Sequence, residues 1–87
     1  MVKIWAKLIK DDKILKSYVF EKNDDIDYSL FFEYLSDITY NLDIPTPVLI
    51  KTHIFNYAKY NYVRFTKSDF VESITFDKLV LENIADK

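Results

Sequence analysis

Val2-Lys3-Ile4-Trp5-Ala6-Lys7-Leu8-Ile9 alternates in character, with Val2, Ile4, Ala6 and Leu8 on one face and Lys3, Trp5 and Lys7 on the other. A period of two is the pattern of a half-buried strand. Ile14, Leu15, Tyr18, Val19 and Phe20 mark a second extended run over 13–20, joined to the first through Asp11-Asp12. Two such runs with a short polar link make an antiparallel hairpin. The favoured two-residue turn needs positive φ, which Asp tolerates, and the chain contains no glycine to supply it.

Beyond the polar segment Asn23-Asp24-Asp25-Ile26-Asp27 the period changes. Phe31, Leu35, Ile38 and Leu42 recur at helical spacing, with Ser29, Glu33, Ser36 and Asp37 on the other faces. A helix is expected over about 28–41, with Asp27 as N-cap and Ile26 spaced as a hydrophobic staple to Phe31. Asn41 is the expected left-handed stop, and Pro45 blocks continuation. Val48 to Ile50 reads as extended. Ile50, Ile54, Tyr57 and Ala58 fit a short helix, while a strand through Phe55 is the alternative. Tyr62 to Phe65 reads as a strand and Ser68-Asp69 as a turn. Leu79 to Ile84 closes the chain as a strand, or as a helix starting near Phe76.

Together these give a single α+β domain over 1–87, a small antiparallel sheet led by the N-terminal hairpin with one main helix packed on it. Area scaling for 10.4 kDa gives roughly 5,400 Å² folded against about 15,000 Å² unfolded, enough for one modest core. Every position that needs positive φ must be met by Asn or Asp; Asp11, Asp12, Asn23, Asn41 and Asn61 lead.

Composition excludes more than it assigns. Without glycine there is no Walker-type phosphate loop, no G-x-G-x-x-G turn and no G-x-S-x-G elbow. Scarce glycine is also what AT-rich codon usage would produce. Without cysteine there are no disulfides, thiol nucleophiles, iron–sulfur ligands or Cys-based zinc modules. One histidine, His53, leaves no site that needs two imidazoles. Neither a cofactor nor a metal is expected. Lysines interrupt the N-terminus, so no secretory signal is read there, and a cytoplasmic location without membrane contact is expected.

Charge runs in blocks: +3 over residues 1–22, −6 over 23–47, +4 over 48–68 and −3 over 69–87. Such blocks neutralise one another within a fold, or give a bipolar surface that steers a partner. Lys51 to Lys67 carries the sharpest pattern, interleaving Lys51, His53, Phe55, Tyr57, Lys59, Tyr60, Tyr62, Arg64, Phe65 and Lys67. Cations that track phosphates between rings that stack on bases suit single-stranded nucleic acid. Residues 58–65 resemble the RNP1 signature of RNA recognition motifs at Tyr60, Tyr62, Val63 and Phe65. They depart from it at the leading basic position and at both small positions, filled by Lys59 and Asn61.

Three other features carry candidate chemistry. Trp5 between Lys3 and Lys7 is a candidate partner anchor, unless the sheet is covered on both faces or the lysine stems fold over the ring. Asn23, Asp25 and Asp27 imitate half a calcium loop, but Tyr28 and Tyr34 occupy the positions that need Gly and Glu. His53 with Asp69, Glu72 or Asp77 offers acid–base chemistry without a marked nucleophile, so no catalytic residue is assigned.

Leu42-Asp43-Ile44-Pro45-Thr46-Pro47, then His53, Phe55 and Phe65, then Ser68-Asp69-Phe70-Val71-Glu72-Ser73 and Phe76-Asp77-Lys78-Leu79-Val80-Leu81-Glu82 resemble a family of small uncharacterised proteins from low-GC Gram-positive bacteria. The resemblance runs over most of the chain. It implies a bacterial cytoplasmic protein and brings no site residues. The expected function is a non-enzymatic protein-interaction module whose partner is another protein or a second copy. Fifteen aromatic residues exceed what a core this size hides. Trp5, Lys59, Tyr60, Tyr62 and Arg64 are the expected partner-binding residues. The alternative is single-stranded nucleic-acid binding through 51–67.

Overall fold

The alternating N-terminus forms strand β1 (Val2–Lys10) and its continuation forms β2 (Lys13–Lys22) in a computed structural model that describes residues 1–85. Asp11 and Asp12 both take positive φ, at 51° and 63°, the geometry of a type I′ turn. The Asp77 carboxylate steadies this turn by accepting from the Asp11 N–H at 2.9 Å. Pairing shifts between Leu8 and Ile9, so that Leu8 faces Lys16 and Ile9 faces Ile14, and Leu15 is left as a bulge. An L-residue in the left-handed region costs about 1–2 kcal/mol, and glycine escapes most of this for about 0.5–1 kcal/mol of chain entropy. Asp12→Gly is therefore expected to raise stability by about 0.5 kcal/mol, read as a higher urea midpoint; a lower midpoint would contradict the turn assignment.

The main helix is reached through a 3-10 turn, Tyr28–Leu30, before α1 (Phe31–Leu42). Asp27 caps this turn, its Oδ1 accepting from the Ser29 hydroxyl at 2.6 Å and the Ser29 N–H at 3.0 Å, whereas α1 itself begins three residues later than the expected helix, after Leu30, without a side-chain cap. Those two bonds, the hydroxyl first, hold its carboxyl below the usual range. The stop is Asp43, at φ 57°, and not Asn41. The Asp43 N–H donates to the Tyr40 carbonyl at 3.2 Å and the Ile44 N–H to the Thr39 carbonyl at 3.1 Å, a Schellman closure. Stopping at Asn41 would have left Leu42 out of the core, where it is buried. Asn41 instead stays helical and donates from Nδ2 to the Asp37 carbonyl. Asn23 likewise lacks positive φ, whereas Asn61 has it.

The second half of the chain resolves into α2 (Lys51–Tyr60), β3 (Tyr62–Thr66), a 3-10 turn at Lys67–Asp69 and β4 (Lys78–Asn83). The helical reading of 51–60 holds against a strand through Phe55, and the closing segment is a strand. Sheet order is β2-β1-β4-β3 with every pairing antiparallel. Val2, Ile4, Ala6, Leu8, Leu79, Leu81, Val63 and Phe65 line one face and are buried against the helices. The expected helix residues Phe31, Leu35, Ile38 and Leu42 all join that core, with Tyr34 and Tyr57. Both helices lie on this face, so the opposite face of the sheet is open.

Candidate functional site

Asn61 places the site. Its left-handed conformation ends α2, its N–H donating to the Tyr57 carbonyl at 2.8 Å, and turns the chain directly into β3. Tyr60 at the end of the helix thus shares a groove with Tyr62 and Arg64 on the first half of the strand, while the Lys59 ammonium lies outside the groove lining, 5.6 Å from the Phe55 ring centre and 5.3 Å from that of Tyr60. A groove of about 560 Å³ runs between these two elements. Thr52, His53, Asn56 and Tyr60 line it from α2, a spacing that puts them along one flank of the helix. Tyr62, Val63, Arg64 and Thr66 line it from β3.

β3 is an outer strand, so one of its sides has no strand partner. The Asn83 N–H donates to the Asn61 carbonyl at 2.9 Å, which fixes Asn61 and Asn83 as a hydrogen-bonded pair. Alternation along the antiparallel ladder then directs Val63 and Phe65 toward β4. The backbone N–H and C=O groups of Tyr62 and Arg64 consequently point away from the sheet, along the free edge. Thr66 points the same way, but its N–H is taken by Asp69 Oδ2 at 2.8 Å. Arg64 makes no ion pair among the described residues.

The other outer strand, β2, is guarded differently. It carries Lys13, Lys16 and Lys22 and the Leu15 bulge, all devices that discourage strand addition. Tyr18 and Lys16 also reach from it to α1, at the Asp37 carboxylate and the Leu42 carbonyl. β3 has neither bulge nor lysine.

His53 is buried at the base of the groove, its ring 4.5 Å from that of Phe65. Its Nδ1 accepts the Ile50 N–H at 3.1 Å, so its neutral form carries the proton on Nε2, which lies 3.5 Å from Asp69 Oδ1. Of Asp69, Glu72 and Asp77, Asp69 is the carboxylate that pairs with it. Neither ring nitrogen is left for a substrate. The pair instead ties the start of α2 to the end of β3, and the Asp69 carbonyl binds the Val48 N–H at 2.8 Å to anchor the connecting segment.

Trp5 lies on the open face of the sheet. The register aligns Val19, Trp5, Glu82 and Tyr62 in one row and Ser17, Lys7, Val80 and Arg64 in the next. Trp5 and Tyr62 are two strands apart, about 10 Å. The Lys7 ammonium sits 4.1 Å from the Trp5 ring centre and 3.2 Å from Glu82 Oε1. The lysine stem thus does fold over the ring, while the sheet is not covered on both faces. Half-buried Trp5 keeps part of its surface free. Val80 is only 5% exposed although it faces outward, because its long neighbours cover it.

The structure separates the residues that resemble RNP1. Ala58, Lys59 and Tyr60 belong to α2, and Val63 and Phe65 face the core. Only Tyr62 among the four matches presents its ring on the sheet. Asp27 of the calcium-like segment is occupied by Ser29, and the described residues hold no group of three or more His, Asp or Glu suited to a metal. No helix among the described residues is long and apolar enough to cross a membrane. Thr52 and Asn56 went unmarked in the sequence, where small polar residues on a helix carry no signal until an edge strand stands beside them. Comparisons with family models, curated proteins and solved structures find no match.

Proposed function

We propose that this protein is a non-enzymatic interaction module, bacterial and cytoplasmic as the sequence suggests, that takes a protein partner at the corner where α2 meets β3. The observation that carries this reading is the free edge of β3, with two residues' backbone groups unpaired beside a groove. Tyr60, Tyr62 and Arg64 line that groove with Lys59 against the Tyr60 ring, and Tyr60 and Tyr62 are exposed. Trp5 extends the same surface across the open sheet. Residues 48–68 bear four cations and no acid in a chain of net charge −2, a second basic segment beside residues 1–22; of its cations Lys67 lies 3.9 Å from Asp77, whereas Arg64 makes no ion pair among the described residues. An isologous contact between two copies would oppose these like charges. That favours a different, acidic protein over self-association.

The gathering of exposed rings and cations also supports single-stranded nucleic acid as the second reading. Capture from native bacterial lysate, with and without nuclease, is to be compared between the parent protein and a Tyr62→Ala, Arg64→Ala variant. Both positions are exposed, so the variant is expected to fold, with an unchanged urea midpoint as the check. The expected result is protein retained by the parent despite nuclease and released by the variant. Equal retention by both would place the surface elsewhere. Loss on nuclease treatment, with binding that falls steeply in salt, would give the site to nucleic acid.

A further inference from the structure

We infer that the partner binds by adding an extended strand to β3, and that Arg64 selects an acidic side chain on it. This deepens the interaction reading of the α2–β3 corner and rests on it.

The chemistry begins with the backbone. Tyr62 and Arg64 each offer one donor and one acceptor along the free edge. Their spacing of two residues is the repeat at which an incoming antiparallel strand exchanges pairs of hydrogen bonds. Such bonds carry affinity without reading sequence, and alternate side chains supply the selection. Thr66 marks one limit of the edge, since Asp69 takes its N–H. Asn61 marks the other, where the chain leaves the sheet in a left-handed turn. The docking stretch is therefore short and has one register.

Side-chain direction follows from the pleat. A residue added opposite Arg64 shares Arg64's face, the open one, and so does the residue opposite Tyr62. In an antiparallel strand the residue opposite Arg64 comes two positions before the residue opposite Tyr62. An unpaired guanidinium selects Asp or Glu at the first position. The exposed Tyr62 ring favours an aromatic or β-branched side chain at the second. The intervening residue turns toward Thr52 and Asn56 in the groove. The recognised element is thus an extended segment reading acidic, any residue, aromatic or β-branched. Glu82, opposite Tyr62 on this face, is bonded by Lys7 at 3.2 Å, and Lys67 by Asp77 at 3.9 Å, so the selective charge at this edge is the unpaired Arg64.

The test uses a displayed library of random short peptides selected against the full chain, with amide hydrogen exchange on the complexes. The expected result is enrichment of the acidic–any–aromatic or β-branched pattern, with the Tyr62 and Arg64 amides slowed by about tenfold or more on binding. Arg64→Glu is expected to switch the first position from acidic to basic and to weaken the original peptides by about tenfold or more. N-methylation of the peptide residue opposite Tyr62 should abolish binding. Selected peptides that leave those two amides unprotected, or that ignore the Arg64 charge swap, would overturn strand addition while the interaction surface still stands. No peptide retained, with lysate proteins still released by the Tyr62→Ala, Arg64→Ala variant, would also overturn it in favour of a folded partner surface. If that variant retains what the parent retains, the surface reading itself fails.

Discussion

Phe31→Ala is expected to remove about 3–5 kcal/mol of the stability of this fold. Phe31 is fully buried at the head of α1, where its ring meets Tyr34 at 6.2 Å and Tyr57 at 5.0 Å, both edge-on. It therefore joins both helices beneath the sheet. Truncating a buried Phe costs about 3–5 kcal/mol, and each edge-on pair contributes roughly 0.5–1.5 kcal/mol beyond its area. A domain of this length holds only about 4–13 kcal/mol in total. Equilibrium urea unfolding is the measurement: the midpoint should fall by about a quarter or more of the parent's with the slope unchanged. A loss below about 1 kcal/mol would mean that the two helices do not share this core. Phe32→Ala is the matched control, because the next residue along is exposed and should cost little.

The contrast between those neighbours shows what the sequence could carry. A helix whose apolar residues recur at 31, 35, 38 and 42 announces its buried face locally, as does a strand alternating from Val2 to Leu8. Both elements and the Asp11-Asp12 turn were legible for that reason. α2 was ambiguous because only His53 and Tyr57 of its ten residues are buried, too few to set a period. β4 was ambiguous for the opposite reason. Leu79, Val80 and Leu81 are all buried, since an inner strand packs against the core on one side and, on the other, has Lys7 and Arg64 as the register neighbours of Val80. A continuous apolar run of that length fits a strand or a helix.

The site was legible in its residue types and not in its geometry. Lys59, Tyr60, Tyr62 and Arg64 stood out as cations among rings, yet nothing local says that β3 lies at an edge. That fact follows from β4 returning to pair with both β1 and β3, a contact across more than half the chain. The helix stop shows the same limit on a smaller scale. Asn41 and Asp43 are both competent for the left-handed region, and the choice between them is made by whether Leu42 is inside. Local turn chemistry proposes candidates, and burial decides among them.

Tyr57→Phe is expected to stabilise the protein, against the usual direction for removing a hydroxyl. Tyr57 is 1% exposed, and its hydroxyl has no hydrogen-bond partner among the described residues. A buried polar group left unsatisfied costs about 1–3 kcal/mol, while the ring itself supplies the packing against Phe31. Deleting the oxygen should therefore raise the melting temperature by about 4–8 °C for each kcal/mol recovered. The same group sets an alkaline limit. Burial, and secondarily the charge that Tyr28 would carry, push the Tyr57 phenol above its ordinary value. The folded state then holds a proton that the unfolded chain releases above about pH 10. The unfolded state binds fewer protons in that range, so stability is fully present below it and is lost as pH rises further. Tyr18 is shifted in the same direction by burial and by the Asp37 carboxylate, so a smaller alkaline loss should persist in the variant. Thermal melts at neutral pH and in steps above pH 10 separate the two effects. Tyr57→Phe should melt higher than the parent at neutral pH, and the gap should widen with alkalinity. A variant that melts lower at neutral pH would show that the hydroxyl is bonded after all. A gap that stays constant would show that Tyr57 does not govern the alkaline transition.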